Sequence, residues 1–217
     1  MLALSRKFLD DGVNCKFAVI LTEQSAAKQK ICESLDEFGV LKAFKVSESL
    51  SPELTVPAWA GNRDFDVETT KIDLLGAASS GNLTYYFCNL DDCWLSLVLK
   101  LTKRLGCTAV MIRSSSSYVG PNEYIQEITV MESGKMSRVL RVSYDAGWQF
   151  VNSGPPLSFE DPSRYARRKI KDRLSRPYLL GLVDGLTVHC SEGALPFLKC
   201  QWDRHRLRHD SAGGLLN

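Results

Sequence analysis

The amino-acid sequence predicts a single α/β domain with a mixed, mostly parallel sheet, followed by C-terminal helices. Three observations predict this fold class. A strand-helix-strand pattern over residues 15–46 recurs over residues 82–113, and two alternating strands flank a glycine-containing turn at residues 132–135. The 217 residues, 44% of them hydrophobic, are enough to bury one substantial core, so residues 1–217 are assigned to one domain.

The first strand-helix-strand unit begins with the β-prone residues 15–21. Thr22 is a suitable helix cap, Gly39 is a suitable helix stop, and residues 40–46 have the composition of a second strand. Between the cap and the stop, apolar side chains recur every three or four positions, which predicts a helix with one apolar face: Ala27, Ile31, Leu35 and Phe38.

The second unit repeats this order, with a strand at residues 83–88, a cap at Asn89, a stop at Gly106 and a strand at residues 107–112. Its predicted apolar helix face consists of Trp94, Val98, Leu101 and Leu105. The caps are 67 positions apart (89 minus 22), and so are the glycines (106 minus 39). Either an internal duplication or the common length of such units explains the match. In both cases a crossover helix predicts parallel strands.

The rest of the chain is less regular. Residues 47–80 are expected to form a long excursion with one short strand or helix, and residues 123–131 and 136–144 an antiparallel hairpin added to the sheet. In that hairpin, Tyr124, Ile128 and Val130 are expected to share one face of the first strand, and Leu140, Val142 and Tyr144 one face of the second. Residues 161–185 are predicted to be helical, with a first helix from Asp161 to about Leu174, and residues 210–217 to be a mobile tail.

Composition excludes several classes of protein. No apolar run approaches the roughly 20 residues that cross a bilayer, and the first eleven residues lack a signal-peptide core. An odd number of scattered cysteines, seven, favours a reduced, cytoplasmic compartment. The net charge of +2 is too small to attract nucleic acid or anionic lipid over the whole surface, so any electrostatic partner must bind a local patch.

One such patch is evident. Residues 164–176, here called the basic segment, carry seven cations and one carboxylate, a net charge of +6 (7 minus 1). As a helix, this segment would direct Ala166, Ile170 and Leu174 to the core. The predicted partner-binding residues are Arg164, Arg167, Arg168, Lys171 and Arg173. They suit an acidic protein surface or phosphates, and the structural alternative is a solvated surface that pairs with local carboxylates.

The sequence contains only weaker candidates for a catalytic, metal-binding or phosphate-binding site. His189, Cys190, Cys200, His205 and His209 are zinc-type ligands, but their spacing does not match that of common zinc sites. Cys93 is predicted in the first turn of the second helix, where amide dipoles favour a thiolate, although the adjacent Asp91 and Asp92 oppose this. Neither strand-helix junction has the glycines of a phosphate loop. No cofactor is predicted.

These absences favour a binding protein over an enzyme. The sequence predicts a non-catalytic, inhibitory protein of the bacterial toxin-immunity type, which would cover the site of a partner enzyme with residues 47–80, residues 114–121 or the basic segment. One alternative is a nucleic-acid-binding or regulatory module that uses the basic segment. Another is a thiol-dependent enzyme at Cys93 or a metal enzyme at His205 and His209.

Overall fold

The computed structural model describes residues 15–51, 69–77, 83–90, 93–115, 124–187 and 197–205. Within these ranges the strands are β1 (Cys15–Ile20), β2 (Lys45–Ser51), β3 (Thr69–Ala77), β4 (Thr84–Cys88), β5 (Thr108–Ser114), β6 (Ile125–Glu132), β7 (Lys135–Tyr144), β8 (Trp148–Ser153) and β9 (Phe197–His205). The helices are α1 (Gln24–Glu37), α2 (Leu95–Leu105) and α3 (Arg176–Thr187). Short 3-10 turns are formed by Leu41–Ala43, Pro162–Ala166 and Ile170–Asp172.

In the described ranges, nine strands form one sheet in the order β2-β9-β3-β4-β1-β5-β6-β7-β8. Every hydrogen-bonded pair of neighbouring strands is antiparallel. The prediction of a mixed, mostly parallel α/β sheet is therefore wrong. The predicted antiparallel hairpin extends a sheet that is itself antiparallel.

The error concerns which strands are neighbours. Because strand directions alternate across the sheet, β4 and β5 run the same way, but β1 lies between them and pairs with both. β1 and β2 also run the same way, and β9, β3 and β4 separate them. A crossover helix fixes the direction of the strand that follows it, whereas adjacency depends on pairing with distant segments.

The centre of the sheet has a recognisable connectivity. The order β3-β4-β1-β5, with α1 after β1 and α2 after β4, is the split β-α-β arrangement of ferredoxin-like folds. β2 and β9 extend the sheet on one side, and β6, β7 and β8 extend it on the other. This connectivity describes architecture and carries no function by itself.

The two predicted helices exist and pack on the same side of the sheet, here called the helix-pair face. Ala27, Ile31 and Leu35 of α1 are fully buried, as predicted. Phe38, the fourth predicted member, follows the end of α1 and is 41% exposed. Gly39 and Gly106 both have the left-handed backbone expected of helix stops, with φ of 69° and 60°.

Both helix starts differ from the prediction. The residue that caps α1 is Glu23, which makes no side-chain capping bond, rather than Thr22. Asn89 does not cap α2, because its Oδ1 accepts the Lys71 amide 2.8 Å away and so joins β4 to β3. The backbone at Cys93 and Trp94 is left-handed, with φ of 55° and 50°, and α2 begins only after them.

The opposite side of the sheet, here called the C-terminal face, is covered by α3 and the residues that precede it. Five of the six hairpin side chains that were predicted to share faces lie on this side: Ile128, Val130, Leu140 and Val142 are buried with Leu174 and Leu179, and Tyr124 packs against them. β8 was not predicted, nor was β9. β3, nine residues long, lies in the expected excursion and occupies an inner position of the sheet.

The continuous helix predicted from Asp161 to Leu174 is also wrong. The chain forms two 3-10 turns, Pro162–Ala166 and Ile170–Asp172, before α3 begins at Arg176. Tyr165 and Ile170, five residues apart, would be about 140° apart around an α-helix, yet both pack against the C-terminal face. A broken path lets both side chains reach the same core. The predicted tail, residues 210–217, lies outside the described residues.

Candidate interaction surface

The basic segment lies on the C-terminal face, attached to the core by its apolar residues. Leu174 is fully buried and Ile170 is half-buried against the same cluster, whereas Ala166, predicted to face the core, is exposed. Burial of a leucine side chain stabilises the fold by about 1.5–3 kcal/mol. The i to i+3 bonds Arg167 N to Arg164 O and Arg173 N to Ile170 O, 3.1 and 3.0 Å long, fix the turns between these anchors.

Two of the five predicted binding residues are held by aromatic rings. The Arg164 guanidinium carbon lies 4.2 Å from the centre of the Tyr178 ring, and that of Arg173 lies 5.1 Å from the centre of the Phe150 ring. Arg173 Nε also donates to the Arg167 carbonyl oxygen at 2.9 Å. Arg164 and Arg173 are half-buried, so both stabilise the segment as well as contributing charge.

The other three predicted residues, Arg167, Arg168 and Lys171, are exposed. Lys169, which was not among the predicted binding residues, is exposed beside them. Within the described ranges none of these four side chains forms an ion pair. The structure therefore brings four cations to one surface, here called the basic surface, without a neutralising salt bridge.

Two carboxylates of the described residues, Asp161 and Asp172, lie next to or within the basic segment. Asp161 is exposed, and a hydrogen bond from Ser163, followed by the charges of Arg164 and Arg167, lowers the pKa of its carboxyl. Its Oδ1 accepts the Ser163 amide at 3.1 Å, which makes it the cap that the sequence predicted, although of a 3-10 turn. Asp172 is half-buried. These two carboxylates are fewer than the four exposed cations, so the basic surface keeps a net positive charge.

A buried ion pair anchors the chain just before the basic segment. Arg138 of β7 binds Glu160 in a bidentate manner, with Nε to Oε1 at 3.0 Å and Nη2 to Oε2 at 2.6 Å. Glu160 Oε1 also accepts the Leu157 amide at 3.0 Å, and Tyr165 Oη donates to Glu160 Oε2. The Glu160 carboxylate therefore joins strand β7 to the start of the loop at residues 157–160 and to the first 3-10 turn.

The remaining donors of Arg138 bind the end of β8. Its Nη1 donates to Asn152 Oδ1 at 2.6 Å and to the carbonyl oxygens of Ser153 and Gly154, each at 3.0 Å. Burial alone would raise the pKa of Glu160, but the hydrogen bonds from Arg138 and Tyr165 outweigh it and lower that pKa. The pair is therefore ionised at neutral pH.

A second buried polar centre fixes the start of α3. Arg176 Nη1 donates to Ser114 Oγ at 3.2 Å and to the Ser115 carbonyl oxygen at 3.0 Å. Ser114 Oγ donates to Gln126 Oε1 at 2.6 Å, and Gln126 Nε2 donates to the Ser115 carbonyl oxygen at 3.0 Å. Cys15 is buried beside this centre, and burial raises its pKa to about 11 although the charge of Arg176 opposes the rise.

The structure does not support the predicted thiol chemistry. Cys93 precedes α2 instead of lying in its first turn, and its side chain is fully buried on the helix-pair face. Cys88 is equally buried in β4. A nucleophile must be reached by its substrate, and neither sulfur is accessible in this fold. Asp91 and Asp92 lie outside the described residues.

Three of the five predicted metal ligands lie outside the described residues. Cys200 and His205 belong to β9, and His189, Cys190 and His209 lie outside the described residues. Among the residues that are described, no group of three or more histidine, cysteine or acidic side chains could hold a metal ion. Two of the predicted covering segments, residues 52–68 of the excursion and the loop at residues 116–121, also lie outside the described part.

Sequence reasoning missed the residues that position the basic surface. Arg138 shares a strand face with the core residues Leu140 and Val142, so a charge at that position signals a buried partner. That partner, Glu160, is 22 residues away and has no local signature. The ring partners Phe150 and Tyr178 likewise become evident only in three dimensions.

Comparison with known proteins adds no assignment. No helix in the described ranges is long and apolar enough to cross a membrane. No protein-family model, curated protein or solved structure matches this chain.

Proposed function

We propose that this chain is a non-catalytic, inhibitory protein that binds an acidic surface of a partner enzyme, in the manner of bacterial toxin-immunity proteins. The observation that supports the proposal is the basic surface: Arg167, Arg168, Lys169 and Lys171 are exposed and make no ion pair in the described residues. A carboxylate-rich partner surface would complement these charges and speed association.

The way this surface is held also supports protein binding. Arg138, Glu160 and Tyr165 fix the chain before it, and Leu174 and Arg176 fix the chain after it. Because the backbone between these anchors is already ordered, little conformational entropy is lost when a partner binds. Occlusion of the partner's site by a rigid surface requires no catalytic group on this chain.

A cytoplasmic location is part of the proposal. Cys15, Cys32 and Cys107 carry free thiols, which a reducing compartment maintains.

The nucleic-acid alternative has less support. Single-stranded nucleic acids need aromatic faces on which bases stack. On the central strands Phe17 and Phe87 are fully buried, and near the basic surface Phe150 and Tyr178 lie against Arg173 and Arg164. The basic surface would then offer phosphate contacts without a stacking platform in the described residues.

The test compares two triple charge reversals with the same net charge. Arg167→Glu, Arg168→Glu and Lys171→Glu alter the basic surface, whereas the control reverses three exposed lysines elsewhere: Lys42, Lys103 and Lys135. With a co-purified partner enzyme, the first variant is expected to lose inhibition and bind at least about tenfold more weakly, and the control to retain both. Equal affinities for the two variants would exclude the basic surface from the interface.

The same two variants separate protein binding from nucleic-acid binding. Duplex DNA and single-stranded RNA are titrated at low and at physiological salt, because phosphate-dominated binding weakens steeply with salt. Nucleic-acid binding that only the basic-surface variant loses, together with no effect on the enzyme, would replace the inhibitory proposal with the regulatory alternative.

A further inference from the structure

Three charged residues form one row across β5, β6 and β7 on the side opposite the basic surface. Arg113 is paired with Glu127, and Glu127 with Arg141, in the strand register. Each alternates with a residue of the C-terminal face, Ile112, Ile128 or Val142, so all three side chains project from the helix-pair face. Directly opposed side chains in such a row have Cβ atoms about 4.5–5.5 Å apart.

The carboxylate at the centre of the row is already engaged. Arg113 Nη1 lies 3.2 Å from Glu127 Oε2, and Thr129 Oγ1 donates to Glu127 Oε1 at 2.9 Å. The Glu127 side chain is only 7% exposed, so this arrangement is largely shielded from water. Both oxygens of Glu127 therefore have partners on the β5 and β6 side of the row.

Arg141, on the other side of Glu127, is differently placed. It is half-buried, and its Nε is enclosed yet has no hydrogen-bond acceptor in the described part of the chain. No carboxylate among the described residues forms an ion pair with it, even though Glu127 is its direct cross-strand neighbour. A buried donor left without an acceptor destabilises the fold, and a charged group does so more strongly. Among the described residues, Arg141 thus has no counter-charge bound to its guanidinium.

We propose that Arg141, supported by the charge of Arg113, binds an oxyanion on the helix-pair face: a phosphate or carboxylate group of a small ligand. A guanidinium presents its donors as a planar fork that matches two oxygens of such a group. Lys16 of β1 is paired with Arg113, so the extended row holds three cations and one carboxylate. An additional negative group would reduce this excess of positive charge. Glu127 sets the affinity, because its charge opposes that of the ligand.

The row lies away from the end of the hairpin that α2 contacts. The Gly134 amide donates to Thr102 Oγ1 at 3.1 Å, so α2 contacts the β6-β7 turn. Glu127 lies five residues before the end of β6, toward the opposite end of the hairpin.

The oxyanion site does not depend on the proposed inhibitory function, because Arg141 and the basic surface project from opposite faces of the sheet.

Isothermal titration with inorganic phosphate, and separately with acetate, tests the site in the full-length protein. Phosphate is expected to bind at a single site, and Arg141→Gln to weaken that binding about tenfold or more. In Glu127→Gln the carbonyl oxygen can accept from Arg113 and the amide nitrogen can donate to Thr129 Oγ1, while the opposing charge is removed, so this variant is expected to strengthen binding. A purely structural role for the row would not produce this increase. Stronger binding of acetate than of phosphate would identify a carboxylate ligand.

The control is Lys42→Gln together with Lys135→Gln, which removes two exposed charges outside the row and the basic surface and is expected to leave phosphate affinity unchanged. If Arg141→Gln does not fold by circular dichroism, Arg141→Lys replaces it. Lysine keeps the charge without the fork and is expected to give an intermediate loss. The proposal would be overturned if the wild-type protein bound neither phosphate nor acetate. It would also be overturned if phosphate binding survived the loss of Arg141 and disappeared in the control.

Discussion

Arg138 and Glu160 form a bidentate ion pair in which the two side chains are only 1% and 0% exposed. Arg138 belongs to an extension strand of the sheet, and Glu160 lies just before the basic segment. The pair therefore connects the rigid sheet to the segment that carries the proposed binding surface. Its effects on stability and on the position of the basic surface can be measured separately.

Glu160→Gln is expected to destabilise the fold by about 3–5 kcal/mol, because it leaves the buried Arg138 guanidinium without a counter-charge. Urea denaturation of the wild-type and variant proteins measures this difference. The matched control is Glu33→Gln, which alters an ion pair with Lys30 near the surface and is expected to change stability little. Equal losses for the two variants would show that the buried pair has no special role.

Stability should fall in acid partly through Glu160. Its pKa is lowered in the folded protein from the usual 4.5, so its contribution is complete above 4.5 and is lost as the pH falls through the lower, folded-state value. Urea midpoints measured from neutral pH into this acid range should decline, and the decline should be shallower in Glu160→Gln. Parallel curves would contradict the assignment of this acid sensitivity to Glu160.

The buried thiols should resist alkylation in the folded protein. The sulfurs of Cys15 and Cys93 are shielded, and the pKa of Cys15 is raised by burial to about 11, so little thiolate forms near neutral pH. Of the thiols whose burial the structure describes, the half-buried Cys32 and Cys107 should be modified before Cys15 and Cys93, as read by peptide mass spectrometry over time. Rapid modification of Cys93 in the native state would instead favour the thiol-enzyme alternative.

Gly154→Ala should be far more disruptive than Gly106→Ala. Both glycines have left-handed backbones, with φ of 81° and 60°. A Cβ at Gly154 would lie 2.0 Å from the Ser137 carbonyl oxygen, whereas one at Gly106 would meet nothing within 4 Å. Alanine is expected to cost about 1–2 kcal/mol at Gly106 and at least about 3 kcal/mol at Gly154. Similar melting temperatures for the two variants would contradict this geometry.

Local patterns in the sequence predicted elements better than their arrangement. Ala27, Ile31 and Leu35 form a helical stripe that the fold buries, because the stripe depends on neighbouring residues alone. The position of β1 depends on Ala18 pairing with both Tyr86 and Met111, which are distant in sequence. No local pattern encodes that choice, and the parallel sheet was predicted because sequential strands were assumed to be neighbours.

The candidate surface likewise has features that the local sequence predicts and features that depend on tertiary contacts. The excess of cations at residues 164–176 was evident from the sequence, as was the cap at Asp161. Which cations stay exposed depends on the Tyr178 and Phe150 rings, which take up Arg164 and Arg173. Tertiary contacts therefore shift the expected binding role toward the residues between these two arginines.

Site-specific photocrosslinking tests most directly whether the basic surface binds a protein partner. A photoreactive residue at position 168 in living cells is expected to crosslink one acidic protein, and Arg167→Glu with Lys171→Glu to abolish that adduct. The same residue at the exposed position 103, on α2, should not form the adduct. Crosslinking to nucleic acid at position 168, or the same protein adduct from both positions, would contradict the assignment of the basic surface.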